Sequence, residues 1–453
     1  MDEIRLTKPI SEIIDEYIED GRADQVRTLV DELHPADIAE AIDRLDPDYG
    51  ILVFGYLDTE TAAEVLIELD ESVRERIIDP LTDELLVAII GELDSDDAAD
   101  VLAELDEARQ RSVMAAMPKK DEREVRTLLR HDEESAGGLM ALEIVAVNQN
   151  RNAQHALDVL RKKADEVDDV YNIYAVDSRG QLTGVASLKD VVLADSTTKL
   201  SDLMDTEVIA IRPEMDQEEV AQLFHKYDLV AAPVVDEIGR LVGRITFDDV
   251  MDVVEEEASE DITMMAGITD EAIRERSLFR LSWVRLPWLL VAFAGEIVSA
   301  LIMESFSNRI EIIVTAAFFI PLIMAMGGNI GIQSATIVIR GLATGEFSIH
   351  DMWQRLFSEL SVTLFNAVII AALVVGVVSL WLHEFRMGLV LALALIGVLL
   401  NAALMGTLIP FVLKRLKIDP AVATGPFITT SNDVLGLLVY FSMLLAFKGW
   451  LAG

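Results

Sequence analysis

The sequence predicts a multidomain membrane protein, in which a soluble part with two kinds of internal repeat precedes a part made of apolar helices. The chain has 453 residues and a net charge of −41, and this length is too great for one ordinary domain. From Leu278 onward there are ten basic and nine acidic side chains. Residues 1–277 hold 27 basic and 69 acidic ones, a net charge of −42. An acidic, water-soluble half therefore precedes a nearly neutral, hydrophobic half.

The charge of the acidic half bears on its partners. A surface of this sign repels nucleic acid and attracts cations, so we expect no nucleic-acid partner. Solubility or salt tolerance is an alternative explanation of the acidic composition. We therefore consider as candidate cation ligands only those carboxylates that would lie close together in the fold. The chain has no cysteine, which excludes disulfides and cysteine-based sites. Residues 1–9 lack the apolar core of a signal peptide, so nothing suggests export of this half.

Five apolar segments in the second half are long enough to cross a membrane as helices, which takes about 20 residues. They cover about residues 284–304, 310–340, 357–382, 387–413 and 421–447. With a cytoplasmic N-terminus, seven basic residues lie at inner ends and three at outer ends, the distribution that cytoplasmic loops favour. We therefore predict an integral, multi-pass plasma-membrane protein with cytosolic N-terminal domains and its C-terminus outside. The inner residues are Arg280, Arg285, Arg340, Arg355, Lys414, Arg415 and Lys417, and the outer ones Arg309, Arg386 and Lys448.

Asp433 is the most informative residue of the membrane half. It lies near the middle of the last apolar segment, and residues 434–447 after it carry no charge. A carboxylate at that depth costs roughly 3 kcal/mol or more unless it faces protein, water or a cation. Asp433 is therefore a candidate ligand, and a structural Asp that caps a broken helix is the alternative.

Two of the apolar segments contain polar and helix-breaking residues. The second carries Pro321 and then the run Gly327-Gly328-Asn329-Ile330-Gly331. The fifth carries Asp419-Pro420 and Gly425-Pro426 before Asp433. Irregular backbone at membrane depth occurs where it lines a cavity or packs on protein, so we predict broken helices beside a pore. Close helix packing by small residues is the alternative for the glycines.

A first repeat in the acidic half opens at Leu33, Leu57 and Leu93. Each copy is predicted to begin a helix behind an Asp, Ser or Thr cap, which together indicate a small helical solenoid. The seventh residue after each opening Leu is acidic: Glu40, Glu64 and Asp100. Such a row is usually solvated, and a divalent site there would need oxygens from a partner surface.

A second repeat has copies 59 residues apart, Val176–Val191 and Val235–Val250. Each copy predicts a strand, an Asp-x-x-Gly hairpin, a second strand and a Ser or Thr before a helix that opens with Asp. The pair resembles tandem CBS domains over about residues 139–257. CBS pairs are commonly regulatory, and many bind adenine nucleotides beside the helix-opening Asp. The resemblance points to a nucleotide site at Ser187, Asp190, Thr246 and Asp249, and it leaves open whether ATP binds, because Asp is also simply a good first-turn residue.

The order of these parts resembles the MgtE family of magnesium channels over nearly the whole chain. The specific marks are Pro321 with the run from Gly327 to Thr336, and Pro410-Phe411 with the segment from Asp419 to Asp433. The resemblance implies an all-α acidic helical-repeat N-domain (residues 1–135), an α/β tandem CBS pair (136–251), a connecting plug helix (252–277) and a five-helix α-helical transmembrane domain (278–453).

The resemblance also implies a Mg2+-selective channel or transporter for magnesium uptake. It would be a homodimer in membrane lipid, with the Asp433 carboxylates of both subunits binding a hydrated Mg2+ on the two-fold axis. Asn329 is the next pore-lining candidate. Mg2+ keeps several waters and is usually held by one or two carboxylates, so this chemistry is reasonable. Thr424-Gly425-Pro426 departs from members with an amide before the proline, which puts an inner-mouth ligand in doubt.

Cytosolic Mg2+ would close such a channel by bridging acidic surfaces. Without Mg2+, a half with a net charge of −42 should spread apart, and shared coordination would offset that repulsion. The positions that the resemblance implies as regulatory ligands are Glu64, Asp96, Asp100, Glu218, Asp228, Asp249, Glu257, Glu260, Asp261 and Asp419.

Other classes of protein fit the sequence less well. It has no Gly-x4-Gly-Lys-Ser/Thr loop and no His-Glu-x2-His motif, so we do not expect an enzyme. A secondary transporter of another divalent cation, such as Mn2+ or Co2+, stays an alternative because broken helices also mark that class. A membrane-anchored CBS sensor that transports nothing is a further alternative. The sequence does not decide selectivity among Mg2+, Mn2+, Co2+ and Ni2+.

Overall fold

The computed structural model describes residues 8–164, 167, 170–265, 278–307, 316–423 and 426–452. The chain divides into two compact units, Met1–Val253 and Val254–Gly453. Each unit has its own hydrophobic core.

The described part of the first unit begins with ten short helices in two rows. In the first row α1, α3, α5, α7 and α9 pack in chain order, and in the second row α4 packs on α6 and α8 on α10. Their apolar stripes, which include the fully buried Ile38, Leu66 and Leu86, face a shared core. The predicted helical solenoid is confirmed. The helices are α1 Ile10–Glu19, α2 Ala23–Val30, α3 Pro35–Arg44, α4 Pro47–Phe54, α5 Thr59–Glu68, α6 Glu71–Ile78, α7 Asp83–Ile90, α8 Ser95–Ala103, α9 Glu107–Ala116 and α10 Lys119–Leu128.

The three predicted repeat helices are α3, α5 and α8. Only α5 is capped as predicted. Its cap is Asp58, which accepts a hydrogen bond from the Thr61 N–H at 2.9 Å. Before α3 stands His34, whose ring nitrogen accepts from the Ala36 N–H at 3.3 Å. Proline at the first position of α3 already removes one of the donors that a cap would satisfy. Asp94 precedes α8 without a capping hydrogen bond, and its carboxylate forms an ion pair elsewhere.

Two α/β repeats complete the first unit. β1 is parallel to β2, β2 is antiparallel to β3, and β4 is antiparallel to β5. Both hairpins turn at a glycine with positive φ, Gly180 at +79° and Gly239 at +81°, a conformation that glycine adopts without strain. The elements are β1 Ala146–Asn148, α11 Ala153–Lys162, β2 Asn172–Val176, β3 Leu182–Ser187, α12 Leu188–Leu193, α13 Gln217–Tyr227, β4 Ala231–Val235, β5 Leu241–Thr246 and α14 Phe247–Met265.

The two hairpins join the repeats to each other. The Leu182 N–H donates to the Gly239 carbonyl at 2.9 Å, and the Leu241 N–H donates to the Gly180 carbonyl at 3.2 Å. The two hydrogen bonds join equivalent positions of the two copies, because Leu182 corresponds to Leu241 and Gly180 to Gly239 in the sequence repeat. The predicted tandem pair with its Asp-x-x-Gly hairpins is confirmed. α14 continues from the second repeat into the predicted plug segment, of which residues 266–277 lie outside the described residues.

The described residues of the second unit include five helices long and apolar enough to cross a membrane, which confirms the predicted number of spans. α18 is central and packs on α16, α17 and α19, while α15 packs on α19. The core of the bundle is formed largely by α18, with Leu391, Leu395 and Leu399 fully buried. The helices are α15 Leu278–Ser307, α16 Ile320–Ala343, α17 Met352–Trp381, α18 Phe385–Arg415, α19 Pro426–Ala446 and the short α20 Lys448–Ala452.

The predicted break in the second span is confirmed just before Pro321, where Phe318 and Phe319 form a turn, but it is wrong for the glycine run. α16 continues without interruption through its glycine run. A Cβ added to Gly406 of α18 would lie 2.4 Å from the Gly331 carbonyl oxygen, so these glycines allow two helices to approach closely. In the fifth span a short 3-10 turn, Pro420–Ala423, precedes α19. Residues 310–315 of the predicted second span, and Thr424 and Gly425 at the predicted inner mouth, lie outside the described residues.

Candidate metal sites

One candidate site lies in the first unit, around the start of α8. Asp96 is only 5% exposed. Burial raises the pKa of its carboxyl group well above the usual range, and the neighbouring carboxylates of Asp249, Asp97 and Asp94 raise this pKa further. Burial also raises the pKa of Asp97 to about 8, with Asp249 and Asp100 as charged neighbours. This group of carboxylates therefore lacks sufficient nearby positive charge.

Asp249 joins this cluster from the first turn of α14. It accepts hydrogen bonds from the Thr246 hydroxyl at 2.7 Å and the Thr246 N–H at 3.0 Å. Burial raises the pKa of Asp249 to about 6, although the hydrogen bonds from Thr246 lower it. α8 and α14 thus bring carboxylates from the helical repeat and from the second CBS repeat together.

Two polar links hold the helical repeat against the CBS pair beside the carboxylates. The Arg244 guanidinium lies 3.4 Å from the Asp94 carboxylate. The Ser95 hydroxyl donates to Glu143 at 2.8 Å and accepts from the Leu142 N–H at 2.9 Å. Sequence reasoning missed Arg244, Asp97 and Glu143 because their partners are distant in the chain.

The predicted regulatory residues are only partly brought together. Asp96, Asp100 and Asp249 belong to the cluster at α8. Glu64 is exposed on α5, Glu218 is half-buried on α13, and Asp228 is exposed just after α13. On α14, Glu257 and Glu260 are half-buried, and the side chain of Asp261 lies outside the described residues. Asp419 is exposed and accepts from the Ala421 N–H at 2.8 Å.

No three His, Asp or Glu side chains in the described part of the chain are arranged to hold a bare metal ion. An ion at these positions would therefore keep water ligands or take oxygens from other residues. Mg2+ commonly does both.

The two predicted nucleotide positions differ in their surroundings. The Ser187 hydroxyl donates to the Asp190 carboxylate at 2.7 Å and accepts from the Asp190 N–H at 3.1 Å, and Asp190 is exposed. The equivalent pair Thr246 and Asp249 makes the same hydroxyl contact, but Thr246 is buried. Only the first pair is open to a ligand from solvent in this arrangement.

In the membrane unit, Asp433 lies half-buried on α19. Its carboxyl group shares a hydrogen bond with Glu296 of α15. Glu296 was missed, although it gives the same sequence signal as Asp433, a carboxylate inside an apolar segment. The neighbouring Asn432 is fully buried, and neither atom of its amide has a hydrogen-bond partner.

Asn329 is exposed on α16 and lines a pocket of about 280 Å3 with Gln333 and Asn366. Asp433 does not line this pocket. This pocket therefore does not join the two predicted pore residues within one chain.

Five helices in the described part of the second unit are long and apolar enough to cross a membrane, and two of them bring a pair of carboxylates together at membrane depth. They follow a strongly acidic half that contains a CBS pair. These features define a membrane transport protein for cations with a regulatory soluble part. Three family models match the chain in the same order. The intracellular N domain of MgtE matches residues 33–134, the CBS domain residues 200–256, and the divalent cation transporter MgtE residues 320–443.

Similar proteins extend the match to nearly the full length. The magnesium transporter MgtE of Thermus thermophilus is 36% identical over 95% of this chain and 96% of its own. That of Bacillus subtilis is 32% identical over 95% of each. A crystal structure of the cytosolic domain of the Mg2+ channel MgtE in complex with ATP is 36% identical, covers 54% of this chain and all of its own, and superposes with a TM-score of 0.51. The chain belongs to the MgtE family.

Proposed function

We propose that this protein carries Mg2+ into the cell through a pore at Asp433. The observation that carries the proposal is a carboxylate pair at membrane depth, Asp433 and Glu296, in a chain whose relatives are named magnesium transporters over 95% of its length. A carboxylate in an apolar span is stable only beside protein, water or a cation. A hydrated Mg2+ satisfies that requirement with few direct protein ligands.

The pore requires a second copy of the chain. Asp433 is half-buried on α19 and so keeps an open side. The absence of a closed metal site among the described residues of one chain fits a site that two copies share. In a symmetric homodimer, Asp433 of each subunit would face the axis, with the N-terminal domains in the cytosol and the C-terminus outside.

Regulation by cytosolic Mg2+ is supported by the carboxylate cluster at α8. Burial and mutual repulsion raise the pKa of Asp96, and that of Asp97 to about 8. A divalent cation would offset the repulsion that protons otherwise relieve. The regulatory ligands are then Asp96, Asp100 and Asp249, and the separated residues Glu64, Glu218, Asp228, Glu257, Glu260, Asp261 and Asp419 would take part through other surfaces.

ATP is proposed as a further ligand of the CBS pair. The related cytosolic domain named above was crystallised with ATP. Here Asp190 is exposed at the start of α12, with Ser187 held beside it. A ribose hydroxyl could donate to the Asp190 carboxylate.

Mg2+ influx into liposomes that contain the purified full-length protein tests the transport proposal. We expect rapid influx for the wild type and at least a tenfold lower rate for Asp433→Asn. Glu346→Gln, which alters an exposed carboxylate between α16 and α17, is the matched control and should transport normally. Equal influx by wild type and Asp433→Asn would remove Asp433 from the pore.

The same liposomes separate the alternative functions. A protein that carries Mn2+ or Co2+ and not Mg2+ would contradict Mg2+ selectivity. A sensor without transport predicts no cation influx by any variant.

A further inference from the structure

Glu296 is a second carboxylate at membrane depth, beside the proposed pore residue Asp433. It is the only charged residue between Arg285 and Glu304 in the first spanning helix. A carboxylate in the middle of such a span costs several kcal/mol unless it has a favourable partner, about 3 kcal/mol on insertion scales. Glu296 is nevertheless exposed on the surface of the single chain.

The packing of α15 on α19 fixes the position of Glu296. The rings of Trp288 and Phe427 meet at 6.1 Å at one end of the contact, and those of Phe306 and Phe441 stack at 5.4 Å near the other. The contacts advance in the same direction along both helices, which are therefore parallel.

Between the two ring pairs, the helices come very close. A Cβ added to Gly295 would lie 1.9 Å from the Thr430 methyl carbon. Glycine therefore lets α15 approach α19 at this point. The contact places the next residue, Glu296, against Asp433, with which it shares a hydrogen bond.

The pair carries more negative charge than its surroundings balance. When both carboxyl groups are ionised they repel each other strongly in a medium of low polarity, and either a shared proton or a cation between them relieves that repulsion. Among the described residues, neither Glu296 nor Asp433 takes part in an ion pair. Glu359, another carboxylate in a spanning helix, differs from them because it pairs with Arg355.

Ser299 gives independent evidence for a polar ligand in the same contact. Its side chain is 3% exposed, and its hydroxyl has no hydrogen-bond partner. α15 packs chiefly on α19, so a buried residue of α15 faces that helix, and Ser299 lies one turn beyond Glu296 on the adjoining face. A buried hydroxyl without a partner is uncommon and indicates a missing ligand or water.

We propose that Glu296 is a cation ligand of the Asp433 site, so that each chain supplies two carboxylates and the Ser299 hydroxyl to a hydrated divalent cation. The inference deepens the proposed function and rests on it. Each added carboxylate strengthens attraction for a divalent ion twice as much as for a monovalent one. Glu296 therefore sets both the affinity for Mg2+ and the discrimination against Na+ and K+.

Flux measurements on the full-length protein in liposomes test this role with Glu296→Gln. Glutamine keeps the length of the side chain and a hydrogen bond to Asp433, so a purely structural role of Glu296 would survive the change. We expect at least a tenfold rise in the Mg2+ concentration for half-maximal flux and a measurable K+ leak. Glu296→Asp, which keeps the charge, should restore most of the selectivity. Glu304→Gln, on the same helix, is the control and should behave as wild type.

The outcomes separate this inference from the proposed function. Wild-type affinity and selectivity in Glu296→Gln, together with loss of flux in Asp433→Asn, would overturn the role of Glu296 and leave the Asp433 pore intact. Normal flux in Asp433→Asn would instead overturn the pore. If Glu296→Gln does not fold, Ser299→Ala decides the question. We expect about a threefold rise in half-saturating Mg2+ for that variant, and an unchanged value would overturn the site.

Discussion

The guanidinium of Arg244 in β5 lies 3.4 Å from the carboxylate of Asp94 at the start of α8. Arg244 is 5% exposed, so its charge is held inside the contact between the helical repeat and the second CBS repeat. Asp96 and Asp249 lie in the same contact. Arg244 thus supplies a permanent positive charge beside the carboxylate cluster. The proposed regulatory cation would add further positive charge to the same cluster.

Replacement of Arg244 should make this contact depend more strongly on Mg2+. In Arg244→Gln, Asp94 loses its cation and the carboxylates repel one another more, so we expect a loss of about 1–3 kcal/mol, since Asp94 is partly exposed. Thermal unfolding of the full-length protein should begin at a lower temperature without Mg2+, and more Mg2+ should be needed to restore it. Arg179→Gln, in an exposed hairpin, is the control. An unchanged Mg2+ requirement in Arg244→Gln would contradict the argument.

The raised pKa values of the carboxylate cluster predict a pH dependence. The pKa of Asp249 is raised to about 6 and that of Asp97 to about 8, whereas an unfolded Asp titrates near 3.9. The folded state therefore binds protons more tightly than the unfolded state. The contribution of these two carboxyl groups to stability should be greatest below about pH 4, and it should be lost as the pH rises through about 6 for Asp249 and about 8 for Asp97.

Thermal unfolding with a chelator between pH 5 and pH 9 measures this dependence. Added Mg2+ should flatten the fall, because the cation replaces protons between the carboxylates. Asp97→Asn should remove the part of the fall near pH 8 and leave the part near pH 6. A transition temperature that does not vary between pH 6 and pH 9 without Mg2+ would show that these carboxylates are not buried together.

Features decided by neighbouring residues were predictable from the sequence. The hairpins at Gly180 and Gly239 follow from Asp-x-x-Gly, because the glycine must adopt positive φ a few residues after the Asp. The number of spans follows from the length of each apolar segment. Asp433 was singled out because one charge in such a segment is costly.

Features decided by distant residues were not predictable. Asp94 looked like a helix cap, but Arg244 lies 150 positions away in the chain and binds its carboxylate. The glycine run of α16 fits either a broken helix or a tightly packed one, and Gly406 of α18 decides for packing. The hydropathy of an apolar segment does not indicate which other helix it packs against.

A buried polar network between α16 and α17 should stabilise the membrane unit. Glu359 is 7% exposed, accepts a hydrogen bond from the Ser334 hydroxyl at 3.1 Å, and pairs with Arg355 at 2.6 Å. Glu359→Ala leaves a largely buried guanidinium without its partner, so we expect a loss of about 2–4 kcal/mol. The unfolding temperature of the protein in detergent measures this loss. Glu346→Ala, at an exposed position, should change it little, and equal stability of the two variants would contradict a role for the network.

α16 and α18 approach each other closely at Gly331 and Gly406. A Cβ on Gly406 would lie 2.4 Å from the Gly331 carbonyl oxygen, and a backbone atom cannot move aside as a side chain can. Gly406→Ala must therefore separate the two helices, and we expect a loss of about 1–3 kcal/mol, as in other overpacked cores. In Gly376→Ala, the new methyl group meets nothing within 4 Å, and alanine favours the helix by up to about 1 kcal/mol. Unfolding in detergent should thus place Gly406→Ala below wild type and Gly376→Ala at or above it. Equal unfolding temperatures for the two variants would mean that α16 and α18 do not pack through these glycines.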